Sequence, residues 1–244
     1  MPDILILGAS SGIAAACAHK YAANGYTVWL AGRNRALLQT QASDLAIRYK
    51  AQAHVLFFDA VDYESHKAFV DSLSFVPDVV LLAFGYLGDQ TLAERDWQES
   101  ERIIGSNYTG AVSIVNQLAI LLEKNNKGVI AGISSVAGLR GKKNNYIYGS
   151  AKAGFTTYLS GLRNKLAKTG VHVLTILPGF VDTKMTEGMK LSKPLTAQPE
   201  AVADDIYNAI SKKKNVIYTK SLWRYIMFVI SNIPEPIYKK LSLG

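Results

Sequence analysis

The sequence predicts an α/β protein in which one domain forms a doubly wound parallel sheet. Apolar runs of strand length alternate with helix-length segments along the 244 residues, which is the pattern of repeated β-α-β units. Several runs are apolar throughout, as strands are when helices cover both faces of a sheet. The first run leads directly into a glycine-rich turn and a helical segment. No linker, repeat or low-complexity tract divides the chain, so we expect residues 1–244 to fold as a single unit.

The predicted strands and helices follow one another in regular order. Strands are predicted at 4–8, 27–31, 54–58, 79–83, 128–133, 171–177 and 215–219. Helices are predicted near 12–24, 34–49, 62–74, 96–123, 147–169 and 198–212. Residues 180–198 lack periodicity and are expected to form a long loop, which in a compact domain usually serves as a lid or binding element. Residues 215–244 are expected to add the last strand and an apolar, basic C-terminal tail.

Composition and charge exclude several classes of protein. With 49% apolar residues the chain can bury a substantial core, which argues against disorder. The net charge of +8 is compatible with nucleic acid, anionic lipid or a phosphorylated substrate, but no zinc-finger spacing or RNA-binding motif supports nucleic acid. The four scattered histidines predict no metal site. The single cysteine, Cys17, and an N-terminus without signal-peptide features indicate a cytoplasmic protein.

The turn after the first predicted strand has the pattern GxxxGxA, which predicts a Rossmann-type dinucleotide site. Its first glycine permits a tight turn, its second lets the backbone approach a pyrophosphate, and the alanine allows close packing. The following helix offers free N–H groups and a positive dipole end to phosphates. A glycine-rich turn without a ligand is the alternative. The predicted contact residues are Gly8, Ser10, Ser11, Gly12 and Ile13.

The end of the second predicted strand distinguishes NAD(H) from NADP(H). A carboxylate at this position bonds the ribose 2′-hydroxyl of NAD(H), but here the chain reads Gly32, Arg33 and Asn34. A guanidinium suits a 2′-phosphate by charge and geometry, so we expect NADPH to be preferred, with an ordinary surface arginine as the alternative. Asp59, which closes the third strand, is a candidate for the adenine edge or for a helix cap.

A tyrosine and a lysine four residues apart carry the predicted chemistry. Tyr148 and Lys152 share one face of a predicted helix. A phenol is a poor acid or base at neutral pH because its pKa is near ~10, and we expect the nearby lysine charge to lower that pKa. Ser135 follows a predicted strand, where its hydroxyl can bond a substrate oxygen. Together with the upstream glycine turn, this combination indicates a dehydrogenase or reductase.

With these motifs the sequence resembles the short-chain dehydrogenase/reductase family over nearly its whole length. The resemblance implies a catalytic tetrad of Asn107, Ser135, Tyr148 and Lys152. Tyr148 would exchange a proton with the carbonyl or alcohol oxygen, and Ser135 would polarise that oxygen. Lys152 would bond the nicotinamide ribose and tune Tyr148, while Asn107 would hold a water that relays protons to Lys152. The segment PGFVDT matches the family's PGxVxT, which implies cofactor contacts by Pro178, Gly179, Val181 and Thr183.

One segment departs from the family pattern. Where the family usually has NNAG after the fourth strand, this chain has Leu82, Ala83, Phe84 and Gly85. One side-chain hydrogen bond is thereby lost, but backbone contacts of Ala83, Phe84 and Gly85 to the cofactor are still expected. The continuation AFGYLGDQ, with the tail, resembles the bacterial branch that contains the decaprenylphosphoryl-2-keto-erythro-pentose reductases. That resemblance implies a keto-sugar carried on a polyprenyl phosphate as substrate.

The tail and a group of basic residues suit such a substrate. The apolar stretch 225–230 is far shorter than the ~20 residues of a membrane span, but its aromatic and basic neighbours suit an interfacial segment at the inner membrane face. A tail packed on the substrate cleft or on a second subunit of a homo-oligomer is the alternative. A cationic rim around the cleft is expected from Arg140, Lys142, Lys143, Lys184, Lys190 and Lys193.

The alternative hypothesis for the function of the chain is a non-catalytic protein that senses a dinucleotide or acts as a scaffold on the same fold. Fold alone does not exclude it. The presence of all four tetrad residues favours an enzyme, because a sensor has no need of them. A small carbonyl compound and a lipid-linked ketone both remain open as substrates.

Overall fold

A computed structural model describes residues 1–188 and 192–241 and shows a seven-stranded parallel sheet in the order β3-β2-β1-β4-β5-β6-β9. The order reverses between β1 and β4, and the crevice that forms at such a reversal is where α/β sheets bind ligands. The predicted fold class is confirmed. The strands of the sheet are β1 (Asp3–Leu7), β2 (Thr27–Gly32), β3 (Ala53–Phe57), β4 (Val79–Leu82), β5 (Gly128–Ile133), β6 (Val171–Pro178) and β9 (Val216–Thr219).

The helices cover both faces of this sheet and lie close to the predicted segments. The segment 96–123, predicted as one helix, is divided by a π-helical turn at Gly105–Thr109, and the segment 62–74 is helical only over Ser65–Asp71. The helices are α1 (Gly12–Ala23), α2 (Arg35–Tyr49), α3 (Ser65–Asp71), α4 (Gln90–Ala93), α5 (Trp97–Ile104), α6 (Gly110–Lys124), α7 (Tyr146–Leu166), α8 (Pro199–Ser211), α9 (Leu222–Ser231) and α10 (Glu235–Tyr238).

Two hydrophobic cores lie on opposite faces of the sheet. Along β1, Ile4 and Ile6 point to the core under α1 and α8, while Leu5 and Leu7 point to the core under α6 and α7. All four side chains are fully buried, which explains why β1 is apolar throughout instead of alternating. Because the central strand is held from both sides, the turn that follows it has a rigid base.

The segment after β6 is more ordered than the long loop that was predicted for residues 180–198. A two-residue strand β7 (Phe180–Val181) pairs in parallel with β8 (Thr196–Ala197), so the two ends of the segment are tied together. Short 3₁₀ turns occupy Lys184–Thr186 and Lys193–Leu195. The segment therefore has a fixed base beside the sheet crevice.

The C-terminal tail, residues 220–241, forms the helices α9 and α10 after the last strand. The apolar stretch 225–230 lies within α9. Trp223 and Met227 of α9 are buried in a small third core with Val136 and Leu177. Within residues 1–188 and 192–241, no helix combines the length and hydrophobicity that a membrane crossing requires.

Candidate active site

The glycine turn after β1 has the geometry that the sequence predicts. Gly8 has φ +80°, in the region that favours glycine, and a Cβ there would lie 2.6 Å from the backbone nitrogen of Phe84. The Ser11 hydroxyl accepts a hydrogen bond from the Ala14 N–H at 3.2 Å and caps α1. The first turn of α1 thus faces the crevice between β1 and β4, with its positive dipole end toward the crevice.

Two adjoining cavities, of ≈ 280 and ≈ 260 Å³, follow this crevice. They share several lining residues and so form one elongated cleft, of a shape that an extended dinucleotide requires. The shared lining residues are Ser10, Ser11, Ala83, Phe84, Gly85 and Met185. The larger cavity reaches the predicted catalytic side chains and is also lined by Gly12, Ile13, Ser135, Tyr148, Lys152, Pro178, Gly179, Val181 and Thr183.

The smaller cavity ends at the carboxyl ends of β2 and β3. Arg33 and Asp59 both line it, and the Arg33 Nη1 lies 4.0 Å from the Asp59 Oδ2. Asn34, by contrast, uses its side-chain oxygen to accept the Leu37 N–H at 3.1 Å and so caps α2. Of the residues predicted at this end of the cleft, Arg33 and Asp59 face the cavity with their side chains, while Asn34 holds the helix behind them.

Tyr148 and Lys152 project from the first two turns of α7 into the larger cavity, as their spacing predicts. Both side chains are almost fully buried. Tyr148 and Ser135 line the same cavity, and the Ser135 hydroxyl is near enough to lower the pKa of the phenol. The Lys152 Nζ lies 5.8 Å from the centre of the Tyr148 ring. The Lys152 ammonium donates a hydrogen bond to the carbonyl oxygen of Ile133 at 3.1 Å. The last residue of β5 therefore fixes the ammonium beside the phenol.

Burial shifts the pKa values of this pair in opposite directions. Burial raises the pKa of the Tyr148 phenol to about 12, against a smaller lowering by the Ser135 hydroxyl. Burial also lowers the pKa of the Lys152 ammonium to about 8. The expectation of a lowered Tyr148 pKa is wrong for this structure, because removing the phenol from water disfavours phenolate more than its neighbours stabilise it. Tyr148 therefore keeps its proton at neutral pH.

Asn107 lies in the π-helical turn and is almost fully buried. Its amide nitrogen donates hydrogen bonds to the carbonyl oxygens of Tyr86 and Ile103, and its Oδ1 accepts the Tyr86 N–H at 3.3 Å. A Cβ on Gly85 would lie 2.7 Å from the Asn107 Oδ1 and 3.4 Å from the Lys152 Nζ. Glycine at 85 therefore leaves the space in which Asn107 and Lys152 approach each other.

The PGFVDT segment forms the opposite wall of the cleft. Thr183 lies over the start of α1, since a Cβ on Gly12 would be 3.1 Å from the Thr183 Cγ2. Val181 is buried in β7, and Gly179 lies directly beneath the indole of Trp223. Pro178 ends β6. The predicted contact residues of this segment are thus brought to the same cleft as the glycine turn.

Several residues that line the cleft were not predicted from the sequence, among them Tyr86, Arg102 and Met185. Tyr86 lines the smaller cavity, its hydroxyl donates a hydrogen bond to the buried Glu99 at 2.9 Å, and the Arg102 guanidinium stacks on its ring at 4.1 Å. Met185 lies where the two cavities meet. The sequence could have indicated Tyr86, because it directly follows the predicted cofactor contact Gly85. It could not have indicated Arg102 and Met185, because their positions depend on how separate segments pack.

The expected cationic rim is only partly present. Arg140 turns away from the cleft: it donates to the carbonyl oxygens of Ser231 and Ile233, pairs with Glu235, and stacks on the Tyr238 ring at 4.2 Å. Its expected place beside the catalytic oxygen is therefore wrong, because the tail binds its guanidinium.

The lysines expected in the cationic rim differ in their burial and contacts. Burial lowers the pKa of the half-buried Lys142, and Lys143 also has an interaction partner. Lys184 lines the larger cavity. The carbonyl oxygen of Lys193 accepts from the Lys220 ammonium at 3.4 Å. Lys190 lies outside the described residues. Among the expected rim residues that the structure describes, Lys184 is the one that lines the larger cavity.

The cleft joins a helix N-terminus suited to phosphates with a buried Ser–Tyr–Lys arrangement, and this combination defines a dinucleotide-dependent oxidoreductase. The sequence profile of the short chain dehydrogenases matches residues 3–193. Among curated relatives, an uncharacterised oxidoreductase of Mycobacterium tuberculosis is 36% identical over 241 residues, 98% of this chain and 96% of the relative. Another, from Streptomyces coelicolor, is 33% identical over 243 residues, with 98% and 95% covered.

The chain therefore belongs to the short-chain dehydrogenase/reductase family and is an NAD(P)-dependent oxidoreductase that acts on CH–OH groups or ketones. Solved structures share the fold. A short-chain dehydrogenase from Sphingobium yanoikuyae in complex with NADPH has a TM-score of 0.80 at 22% identity, covering 96% of this chain and 97% of that one. A bulky-bulky ketone specific alcohol dehydrogenase from Comamonas testosteroni has a TM-score of 0.79 at 22% identity, covering 96% of each chain.

Proposed function

We propose that residues 1–244 act as a single-domain, NADPH-dependent ketone reductase. The observation that carries this proposal is the buried Tyr148, which lines one cavity with Ser135 and Lys152 at the end of a dinucleotide-sized cleft. The reaction adds a hydride to the carbonyl carbon and a proton to the carbonyl oxygen, which yields a secondary alcohol and the oxidised cofactor.

The residues of the cleft fit a bound dinucleotide. Gly8 and Gly12 leave spaces that a Cβ would fill against Phe84 and Thr183, and the N–H groups of the first turn of α1 suit a pyrophosphate. Lys152 would hold the nicotinamide ribose, and the segment from Pro178 to Thr183 would hold the carboxamide end. When bound there, the nicotinamide supplies the hydride.

The chain's own side chains would supply binding and the proton. Ser135 donates to the substrate oxygen and orients it toward Tyr148, and Tyr148 then gives its phenolic proton to that oxygen. The Lys152 ammonium stabilises the resulting phenolate by its charge. Asn107 holds the backbone at Tyr86 and, in this proposal, a water that returns a proton toward Lys152. General acid catalysis of this kind contributes roughly 10²–10⁴-fold in rate.

The pKa of Tyr148 supports reduction as the favoured direction. Because burial raises this pKa to about 12, the phenol carries its proton at neutral pH and is ready to act as an acid. Oxidation of an alcohol needs the phenolate as a base, and that form becomes abundant only at alkaline pH. We therefore propose that the enzyme works in the direction of ketone reduction.

Arg33 supports NADPH over NADH. It lines the smaller cavity at the end of β2, where an NAD-specific site has a carboxylate. Its guanidinium would bind the 2′-phosphate through charge-assisted hydrogen bonds. Solved structures of this fold contain NADPH or NAD, so they support a nicotinamide dinucleotide here, and the proposed preference for NADPH depends on Arg33.

For the substrate we propose a ketone on a polyprenyl phosphate, such as a keto-pentose, acted on at the cytoplasmic face of the membrane. The cation Lys184 lines the cleft, and the apolar helix α9 packs through Trp223 on Gly179, which lines the same cleft. A phosphate would bind the cation, and a hydrocarbon chain would follow the apolar surface. A homo-oligomer is part of this proposal, as is a reducing location for Cys17.

NADPH oxidation across a panel of carbonyl compounds tests the proposed function. The panel contains a polyprenyl-phosphate keto-pentose, its dephosphorylated form, and small neutral ketones. Turnover of any ketone supports the reductase, and a preference for the phosphorylated lipid supports the narrower substrate. Cofactor binding without turnover of any member would instead favour a dinucleotide sensor on the same fold.

A further inference from the structure

Helix α9 is apolar on both of its faces, although only one face packs on the protein. On the inner face, Trp223 and Met227 are buried against Val136 and Leu177, and the Trp223 Nε1 donates a hydrogen bond to the Leu195 carbonyl at 3.0 Å. At 100° per residue the opposite face holds four large apolar side chains. These are Leu222, Tyr225, Phe228 and Val229, with 49%, 67%, 72% and 62% of their surface exposed.

A contiguous exposed apolar patch is unusual on a helix whose other face is already buried in a hydrophobic core. Scattered apolar side chains are common on protein surfaces, whereas contiguous exposed patches mark binding surfaces. Here the four side chains adjoin each other on one short helix, and Ile237 and Leu241 of the neighbouring segment are exposed as well. A groove lined by Tyr225 and Phe228 runs along the same helix. The outward face of α9 is therefore a contiguous exposed apolar surface of the kind that binds a partner.

The charges around this face indicate which occupant it fits. Residues 220–241 contain four cations, Lys220, Arg224, Lys239 and Lys240, and one carboxylate, Glu235. That carboxylate is paired with Arg140. The surroundings of the patch are thus strongly basic, and an apolar face bordered by lysine and arginine suits an anionic lipid surface.

We propose that the outward face of α9 is the membrane-docking surface of this protein and binds anionic phospholipid. Leu222, Tyr225, Phe228 and Val229 enter the headgroup and acyl boundary, while Arg224, Lys239 and Lys240 contact lipid phosphates. Lys220 stays bonded to the Lys193 and Pro194 carbonyl oxygens. The purpose of this contact rests on the proposed function, since a lipid-linked ketone is reached at a membrane surface. The binding itself does not depend on that function and is measured without turnover.

The contacts of the tail connect this face to the catalytic cleft. The Trp223 indole lies on Gly179, which lines the cleft. Arg140, in the loop between Ser135 and Tyr148, is held by the Ser231 and Ile233 carbonyls and by the Tyr238 ring. A membrane bound by α9 would therefore lie beside the mouth of the cleft.

Co-sedimentation of the full chain with vesicles tests the proposal. We expect binding to phosphatidylcholine vesicles that contain phosphatidylglycerol, weaker binding to pure phosphatidylcholine, and weakening by salt. The triple variant Tyr225→Ser, Phe228→Ser and Val229→Ser leaves Trp223 and Met227 in place and should bind at least about tenfold more weakly. The control is Phe57→Ser, which removes a similarly exposed phenylalanine (67%, against 72% for Phe228) at the opposite edge strand β3 and should bind as the wild type does.

A fluorescent label gives a second, local measurement. Cys17 is the chain's single cysteine and is buried, so a thiol introduced by Ser221→Cys can be labelled selectively. Ser221 is exposed at the start of α9 and makes no capping hydrogen bond with its side chain. A polarity-sensitive label there should shift to the blue on anionic vesicles.

Two outcomes would overturn the proposal. One is equal vesicle binding by the wild type and the triple variant, or no binding by either. The other is a wild-type dimer that the triple variant converts to a monomer, without lipid binding, which would make the face a contact between two copies. NADPH binding, followed by fluorescence, should be unchanged in the triple variant, so failure of the lipid contact is separable from failure of the proposed function.

Discussion

The Arg33 guanidinium and the Asp59 carboxylate form an ion pair on the lining of the smaller cavity, with 4.0 Å between Nη1 and Oδ2. Arg33 is largely exposed, so this pair contributes little to stability in water. Arg33 can therefore turn toward a phosphate without a large loss of stability, while Asp59 remains beside it. The lining of this cavity thus holds both a cation, which would bind the proposed 2′-phosphate, and a hydrogen-bond acceptor.

Arg33→Ala should weaken NADPH binding by about tenfold or more and change NADH binding little, because NADPH alone carries the 2′-phosphate. Fluorescence titration of both cofactors measures the two dissociation constants. Arg48→Ala is the matched control, since Arg48 is similarly exposed and pairs with Asp44 within α2. An equal loss for both cofactors would show that Arg33 does not bind that phosphate.

Tyr148→Phe should lower the rate of ketone reduction by roughly 10²–10⁴-fold, because the variant keeps the ring and loses the proton donor. NADPH affinity should stay within about threefold of the wild type, since the phenol contributes little to the cofactor's phosphates. Steady-state kinetics and fluorescence titration provide the two measurements. Turnover at the wild-type level would remove Tyr148 from the mechanism.

Lys152→Met should abolish turnover and yet stabilise the fold. Burial lowers the Lys152 pKa from 10.5 to about 8, so the buried charge destabilises the folded state at neutral pH by about 3 kcal/mol. The variant also loses the hydrogen bond to Ile133, and we expect a net gain of about 1–3 kcal/mol in the free energy of unfolding. Urea denaturation measures it.

The pH dependence of the difference in unfolding free energy between Lys152→Met and the wild type identifies its cause. Between about pH 8 and pH 10.5 the unfolded wild type binds more protons than the folded form, so wild-type stability rises with pH across this window. The advantage of Lys152→Met should therefore be largest below pH 8 and shrink by pH 10. The wild-type kcat/KM for NADPH should also decline above about pH 8, as the ammonium loses its charge. A pH-independent difference in stability would assign it to packing instead.

Arg140→Ala should destabilise the protein by about 1–2 kcal/mol, because it removes the contacts to two carbonyl oxygens and the Tyr238 ring. Hydrogen exchange should increase in residues 222–238 and in the loop around residue 140, with less change in the sheet. Glu235→Gln is the comparison, since it removes only the charge of an exposed partner and should cost less than ~1 kcal/mol. Equal exchange in Arg140→Ala and wild type would show that the tail is held by α9 alone.

Local patterns account for most of what the sequence predicted. The sheet follows from apolar runs such as that of β1, and the cleft follows from Gly8 and Gly12 after that strand. Tyr148 and Lys152 meet the same cavity because four residues separate them on α7. These relationships depend on one element and its neighbour, so spacing and hydrophobicity are sufficient to predict them.

The features that the sequence did not predict depend on distant contacts. The π-helical turn around Asn107 interrupts a segment whose apolar periodicity predicts one helix. Arg140 was expected at the cleft but binds Glu235, 95 positions further along the chain. The pKa of Tyr148 depends on its burial by several elements, which its neighbours in the sequence do not reveal.

The π-helical turn at residues 105–109 also makes the chain sensitive to insertions and deletions at this point. Successive residues of an α-helix are rotated by about 100° around the helix axis. A π-turn accommodates one additional residue within an otherwise α-helical segment. Deleting one residue between Ile104 and Gly110 would restore a continuous helix and leave α5 and α6 nearly in phase, because the π-turn already absorbs one additional residue. The side chains within the turn would instead shift around the helix axis. Asn107 would then point away from Gly85, so the loss of a single codon here would remove the side chain proposed to hold a water beside Lys152 while the flanking helices keep their packing.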